Sequence, residues 1–345
     1  MVNQKTNSAN LLKFRRKSEK MTPLEENSPE QRYLTTSTSL GHVLMMIILN
    51  FCRRITCGTD VKRRLLFYFC VIVFGGIVAD FAPPIVRAFM PIKIMKGNIL
   101  NQWFVKIGWF WTLVLVTPFV AMTSEILRLN VPTNENETKN NTSIKSNNTT
   151  TSEVKSRKDY ILQLAREKLK KDLIRVVVAT VMWWSFTTFF EWFDNYTASC
   201  SISSHKTRVA CLNVGARWTG FDISGHTFIL LFSNLIILEE CAAMIGWEPF
   251  GNQLNAMQQH YQKVYGQDYE QHVIYSRYIV PIRIFFLTLT VLTLLWDFML
   301  IQTALFYHTM IQKFVAFVIA ASLWYLLYRI VYKYFNISVV QIGSR

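Results

Sequence analysis

Two short stretches of this sequence set a histidine beside groups suited to acid–base or nucleophilic work. The first is FDISGH, Phe221 to His226. Asp222 or Ser224 in it can cap a helix. The free backbone N–H groups of a helix start favour an anion, and Ser224 and Gly225 are therefore candidates to touch substrate. His226 follows, a side chain that gains or loses a proton near neutral pH. An interfacial histidine beside an ordinary N-cap has the same tripeptide, so Ser-Gly-His alone decides nothing. The second stretch is Phe306-Tyr307-His308, which alone reads as a histidine at the boundary of an apolar run.

An anionic substrate also needs fixed positive charge. Lys106 lies within an apolar run, where an ionisable group is costly and therefore a functional candidate, unless it snorkels to the headgroups. Arg217 stands nine residues before His226. Arg87, Lys93 and Lys96 share a loop and are further phosphate or headgroup contacts. Glu239 and Glu240 are expected to pair with Arg283 or to face a cavity rather than to do chemistry, and Asp297 has no partner legible in the sequence. Cys200 and Cys211 flank one loop and either form a disulfide or stay apart. No metal-ligand spacing, dinucleotide fingerprint or phosphate-binding glycine loop occurs, so neither metal nor cofactor is expected.

The elements that must position these residues are membrane helices. The chain is 51% hydrophobic with 17% charged residues, below the roughly 25% of soluble domains. Six apolar runs approach the roughly 20 residues that a span needs: 65–83, 103–123, 173–193, 224–247, 279–304 and 313–332. The predicted fold class is thus an all-α membrane protein with about six transmembrane helices. Residues 1–42 read as a disordered basic tail, 43–64 as an interfacial and basic segment, 65–335 as the six-span domain and 336–345 as a second tail. The first tail is polar and basic, with no cleavable signal peptide. A net charge of +15 is compatible with a nucleic-acid partner. The basic residues cluster beside apolar runs, however, as topology determinants do, so no nucleic acid is expected.

Twelve Lys and Arg precede the first run and ten lie in 124–172, against three each in 84–102 and 194–223 and none in 305–312. The positive-inside rule then sets both termini in the cytosol and the loops 84–102, 194–223 and 305–312 on the far side. On that topology the Asn/Thr-rich insert 130–152 is cytosolic. Its sequons at Asn136, Asn140, Asn141, Asn147 and Asn148 go unused, while Asn195 is open to glycosylation. Residues 155–172 read as a basic amphipathic helix on the membrane surface. His226 and His308, remote in sequence, reach the same face at similar depth. His42, His260 and His272 fall on the cytosolic side, and His205 in a polar loop. Paired histidines suit phosphoryl transfer, one attacking phosphorus and the other protonating the leaving oxygen.

At these residues the chain resembles the fat-storage-inducing transmembrane family of the endoplasmic reticulum. The matching text is WTGFDISGHTF from Trp218 with Glu239-Glu240, FYHTMIQKFVAFVIAASLWYLLY from Phe306, and NILNQWFVKIGWFWTLVLVTPFVAMT from Asn98. The resemblance implies six spans, a lumenal site related to lipid phosphatases, and His226 and His308 as the catalytic pair. It implies cleavage of fatty acyl-CoA within its diphosphate, giving acyl-4′-phosphopantetheine and adenosine 3′,5′-bisphosphate. Also implied are multi-pass residence in the endoplasmic reticulum, a role in lipid droplet formation and membrane homeostasis, and neutral-lipid contact at Phe228, Ile229 and Leu230. The broader lipid phosphatases carry a Lys…Arg-Pro motif and an Asp four residues after the second His. Here no such motif is clear and Gln312 holds that position, so the partner that orients His308 and the choice of attacking histidine stay open. The expected partners are fatty acyl-CoA, triglyceride, diacylglycerol and membrane lipids. A non-catalytic binder that partitions triglyceride or diacylglycerol into droplets is the alternative. A small-solute transporter would need charge-lined, broken helices near the midplane.

Overall fold

The computed structural model describes residues 40–58, 60–82, 98–127, 151–202, 204, 207–266, 268–337 and 339. The insert sequons and Arg87, Lys93, Lys96 and His205 lie outside the described residues, as does the His42 side chain. The chain divides into two units, Met1–Leu44 and Met45–Arg345. The second carries both histidines of interest and all six helices of membrane-spanning length.

Those six are the helices, among the described residues, that are long and apolar enough to cross a membrane. In chain order the helices are α1 (Leu40–Thr56), α2 (Val61–Phe81), α3 (Gly108–Leu127), α4 (Thr151–Thr197), α5 (Arg208–Asn213), α6 (Gly225–Cys241), α7 (Trp247–Tyr265), α8 (Glu270–Phe306), α9 (Met310–Tyr325) and α10 (Tyr332–Tyr334). Two short strands, β1 (Ser199–Cys200) and β2 (Trp218–Thr219), pair antiparallel with Cys200 opposite Trp218.

Helix α6 is the centre. It packs against α3, α8 and α9, and α8 and α9 both pack on α2. The most apolar stretch of the α6 span is 89% buried, against 17% for α2. A helix that is apolar all round must be buried in protein or in lipid. Here α6 takes the first option, while exposed Phe74, Trp184, Val291 and Ile311 on the outer helices take the second. An aromatic stack from Trp183 through Trp109, Phe232 and Phe228 ties α4 and α3 to α6.

The charges inside this bundle are paired, as burial requires. Arg175 on α4 donates to both carboxylate oxygens of Glu240, at 3.0 and 2.7 Å, and to Asp172. Tyr328 Oη also donates to Glu240, at 2.8 Å. Glu239 pairs with Arg329. Of the two expectations, Glu239 lines a cavity, while the pairing with Arg283 is replaced, because α4 and the π-helical stretch Leu326–Val331 after α9, rather than α8, bring arginines to the end of α6. Arg283 instead faces Glu248 at 3.8 Å. Asp297 finds its partners on other helices: Arg64 Nη1 and Tyr68 Oη, each at 2.9 Å, and Asn234 Nδ2 at 2.8 Å.

Two segments differ from the sequence expectation. Residues 155–172 are no separate surface helix: they belong to α4, which runs unbroken from Thr151 to Thr197. The run 224–247 is interrupted, because α6 ends at Cys241, a 3₁₀ turn covers Ala242–Met244, and Gly246 takes a left-handed φ of 76° before α7 begins.

Candidate active site

Three breaks in regular helix build one end of the bundle. The first is a π-helical turn, Leu100–Val105, just before α3. Such turns are rare and re-aim side chains at functional sites, and this one carries Asn101. The second is the start of α6. Ser224 sits in extended conformation with its side chain accepting from the Thr227 N–H at 3.3 Å, so His226 lies in the first turn. The third is the reversal between α8 and α9, where His308 adopts φ 55°. A left-handed non-glycine residue is uncommon and costs about 1–3 kcal/mol unless its surroundings impose it.

Those surroundings are specific. The Thr309 N–H donates to Gln312 Oε1 at 3.0 Å in a capping box. The Met310 N–H donates to Asp80 Oδ2 at 2.8 Å. Lys313, fully buried, donates through Nζ to the Ala304 carbonyl at 2.6 Å. Gln312 thus closes the capping box in the first turn of α9.

The three breaks meet at one cavity of about 790 Å3, lined by both His226 and His308. His226 Nε2 lies 2.9 Å from Asn101 Oδ1. His308 Nδ1 lies 3.5 Å from Asp222 Oδ2. A carboxylate near His308 Nδ1 therefore comes from the FDISGH block itself. Sequence spacing hid it, because the pairing joins the loop before α6 to the α8–α9 turn. Further lining residues are Lys106, Gly225, Glu191, Asp194 and Tyr307. Burial raises the Tyr307 phenol above its ordinary value, so it stays protonated as a donor. Trp183 also lines the cavity, and its Nε1 is buried with no hydrogen-bond partner among the described residues.

The other expected site residues separate. Lys106 and Gly225 reach the cavity, and a Cβ on Gly225 would meet nothing within 4 Å, so its bareness leaves room for a ligand. Ser224 is fully buried beneath it and caps α6. Arg217 lines neither this cavity nor its neighbour; its backbone pairs with Ser201, as donor to Oγ at 3.0 Å and as acceptor from the N–H at 2.8 Å. These bonds keep its backbone beside the strand pair. Phe228 and Leu230 are packed inside the bundle, whereas Ile229 lines the cavity. Cys200 and Cys211 form a disulfide with Cα atoms 5.7 Å apart. Asn195 is exposed at the end of α4.

A smaller cavity of about 230 Å3 adjoins the first and shares Asp194 and Asp222 with it. It is also lined by Asn195, Arg208, Trp218, Thr219 and Gly220. Gly220 is required there, since a Cβ would fall 2.0 Å from the Asp194 carbonyl oxygen. Sequence reasoning misses Arg208 and Trp218 as site residues, because nothing in a six-residue helix or a two-residue strand signals a wall beside the histidine cavity.

A model of the fat storage-inducing transmembrane protein family matches residues 90–202 and 190–328. Among curated proteins, "Acyl-coenzyme A diphosphatase FITM2" of Drosophila melanogaster is 30% identical over 86% of this chain, which spans 64% of that relative. The protein of the same name from Caenorhabditis elegans is 30% identical over 79% of this chain and 80% of its own length. That from Danio rerio is 27% identical over 77% and 82%. No solved structure matches the chain.

Proposed function

Because the chain belongs to the fat storage-inducing transmembrane family, we propose that it hydrolyses fatty acyl-CoA within its diphosphate. The products are acyl-4′-phosphopantetheine and adenosine 3′,5′-bisphosphate. The observation that carries this reading is the cavity lined by both His226 and His308, with Asn101 2.9 Å from the first ring and Asp222 3.5 Å from the second. The printed names of the relatives support the substrate class.

The chemistry follows from the partners. A carboxylate at Nδ1 of His308 favours the tautomer protonated there and stabilises positive charge on the ring. Nε2 then carries the nucleophilic lone pair, and attack on a diphosphate phosphorus forms an N–P bond as the bridging P–O bond breaks. His226 gives its proton to the leaving oxygen. It next takes a proton from water, whose oxygen attacks the phosphohistidine and frees His308. One water is consumed and two phosphate monoesters result. Lys106 supplies positive charge for the diphosphate, and the buried Trp183 N–H is a donor for an amide of the pantetheine arm.

The acyl chain stays in the bilayer while the head group enters from one face. The charge distribution of the loops supports a lumenal site in the endoplasmic reticulum with cytosolic termini, and a contribution to lipid droplet formation and membrane homeostasis follows from removing acyl-CoA there. Direct neutral-lipid binding has less support, since Phe228 and Leu230 are occupied by packing within the bundle.

The test is hydrolysis of oleoyl-CoA by the protein purified in detergent, read as release of adenosine 3′,5′-bisphosphate. Release that is lost in His226→Ala and in His308→Ala is expected. Absence of product, or product undiminished in both variants, defeats the proposal.

A further inference from the structure

We propose that the smaller cavity is the nucleotide subsite: Arg208 reads the 3′-phosphate of the coenzyme and Trp218 stacks on its adenine. This rests on the acyl-CoA reading and gives it a specificity determinant. Three observations lead here. The small cavity shares two walls, Asp194 and Asp222, with the histidine cavity, and Asp222 is also the partner of His308. A substrate whose diphosphate lies at His308 therefore has its nucleotide end next to this space. The volume of about 230 Å3 is below the roughly 300–1,000 Å3 of pockets for whole drug-sized ligands, as suits one end of a longer molecule.

The second observation is chemical complementarity. Besides carboxylate, amide and hydroxyl groups, that wall carries a guanidinium and an indole, Arg208 and Trp218. A guanidinium binds phosphate bidentately, and an indole face stacks on a purine. Arg208 has no hydrogen-bond or ion-pair partner among the described residues, so its charge is available to a ligand. Asp194 and Asp222 offer acceptors to the ribose hydroxyl or the adenine amino group.

The third is that the wall is built rather than incidental. Trp218 is held in β2 opposite Cys200. Cys200 is bonded to Cys211, three residues beyond Arg208 on α5. The disulfide thus links the strand pair that holds Trp218 to the helix that carries Arg208. The same loop brings Gly220 against Asp194, where no side chain would fit.

The experiment compares oleoyl-CoA with 3′-dephospho-oleoyl-CoA. The native protein should show a KM higher by about 10- to 100-fold for the substrate lacking the 3′-phosphate, the size of one lost charge-assisted contact, with kcat little changed. Arg208→Gln should raise KM for oleoyl-CoA to the same extent and abolish the discrimination. Trp218→Phe should weaken both substrates less than Trp218→Ala does. A native protein indifferent to the 3′-phosphate, or an Arg208→Gln variant that loses equally on both substrates, overturns the proposal. Calorimetry with adenosine 3′,5′-bisphosphate and adenosine 5′-monophosphate separates the two readings. Preference for the bisphosphate that vanishes in Arg208→Gln, in a protein that hydrolyses nothing, sinks the enzymatic reading and keeps the subsite. Equal affinity for the two nucleotides sinks the subsite while leaving hydrolysis to stand on its own assay.

Discussion

The two ends of α6 carry polar residues of similar promise in sequence and use them differently. At its start, His226 opens into a cavity of about 790 Å3 and meets the amide of Asn101. At its end, Glu240 is enclosed by Arg175 and Tyr328, and Glu239 is paired with Arg329, which lies 4.8 Å over the Trp324 ring. A cavity of about 430 Å3 exists at that end too, lined by Glu239, Arg329 and Lys333. What differs is the partner. A full counter-charge neutralises a side chain and locks it, whereas an amide or a carboxylate beside an imidazole orients it and leaves proton transfer to be done. The charge pairs hold the helix, whereas the two imidazoles line a cavity.

On this contrast, variants at one end change rate without stability, and variants at the other do the reverse. The largest effect is expected at the histidines. His226→Ala should slow turnover by about 10²- to 10⁴-fold and His308→Ala should reduce it to background, with the thermal midpoint of the detergent-purified protein unmoved. Next comes Arg175→Met, which strands Glu240. It should cost about 3–5 kcal/mol, seen as earlier thermal unfolding, and Arg175→Met with Glu240→Gln should recover part of it. A stable Arg175→Met protein with slowed hydrolysis would erase the distinction between the ends.

Smaller effects sharpen the comparison. Asp222→Asn should lower kcat by roughly tenfold or more, since the carboxylate that favours one His308 tautomer is lost, again with no change in unfolding. Ser224→Ala sits on the border of the two behaviours. Losing the cap should cost about 1 kcal/mol and slow turnover modestly, because the first turn that carries His226 is loosened. Last is Tyr307, whose proton burial holds above the ordinary value of 10.0. A raised value moves phenol ionisation to higher pH, so the native rate profile should show no fall from this group below about pH 10. Tyr307→Phe should lower the rate across the profile without changing its shape.

Much of the architecture is legible along the chain. Apolar runs of span length are local, and six helical stretches of spanning length and apolarity overlap the six runs, because the bilayer asks for little besides length and apolarity. Sequence and structure part where continuity is at stake. The basic stretch before span three is the same helix as the span, since nothing in 155–172 breaks helical geometry. The run after Glu240 is broken by a turn that Gly246 completes in left-handed conformation. Charge pairing is the least legible. Glu240 takes Arg175 over Arg283, and Asp297 gathers Arg64, Tyr68 and Asn234 from other helices.

The residue types and their placement along the chain were enough to nominate His226 and His308 and to put them at span ends, since capping, hydropathy and charge are read over a few neighbouring residues. Only the packed bundle decided that Asn101 and Asp222 lie beside those rings, that Ser224 rather than Asp222 is the cap, and that Arg208 rather than Arg217 lines a neighbouring cavity. Such pairings depend on the rotation and depth of each helix against its neighbours, which are set by contacts between residues far apart in sequence and leave no periodic trace within any one of them.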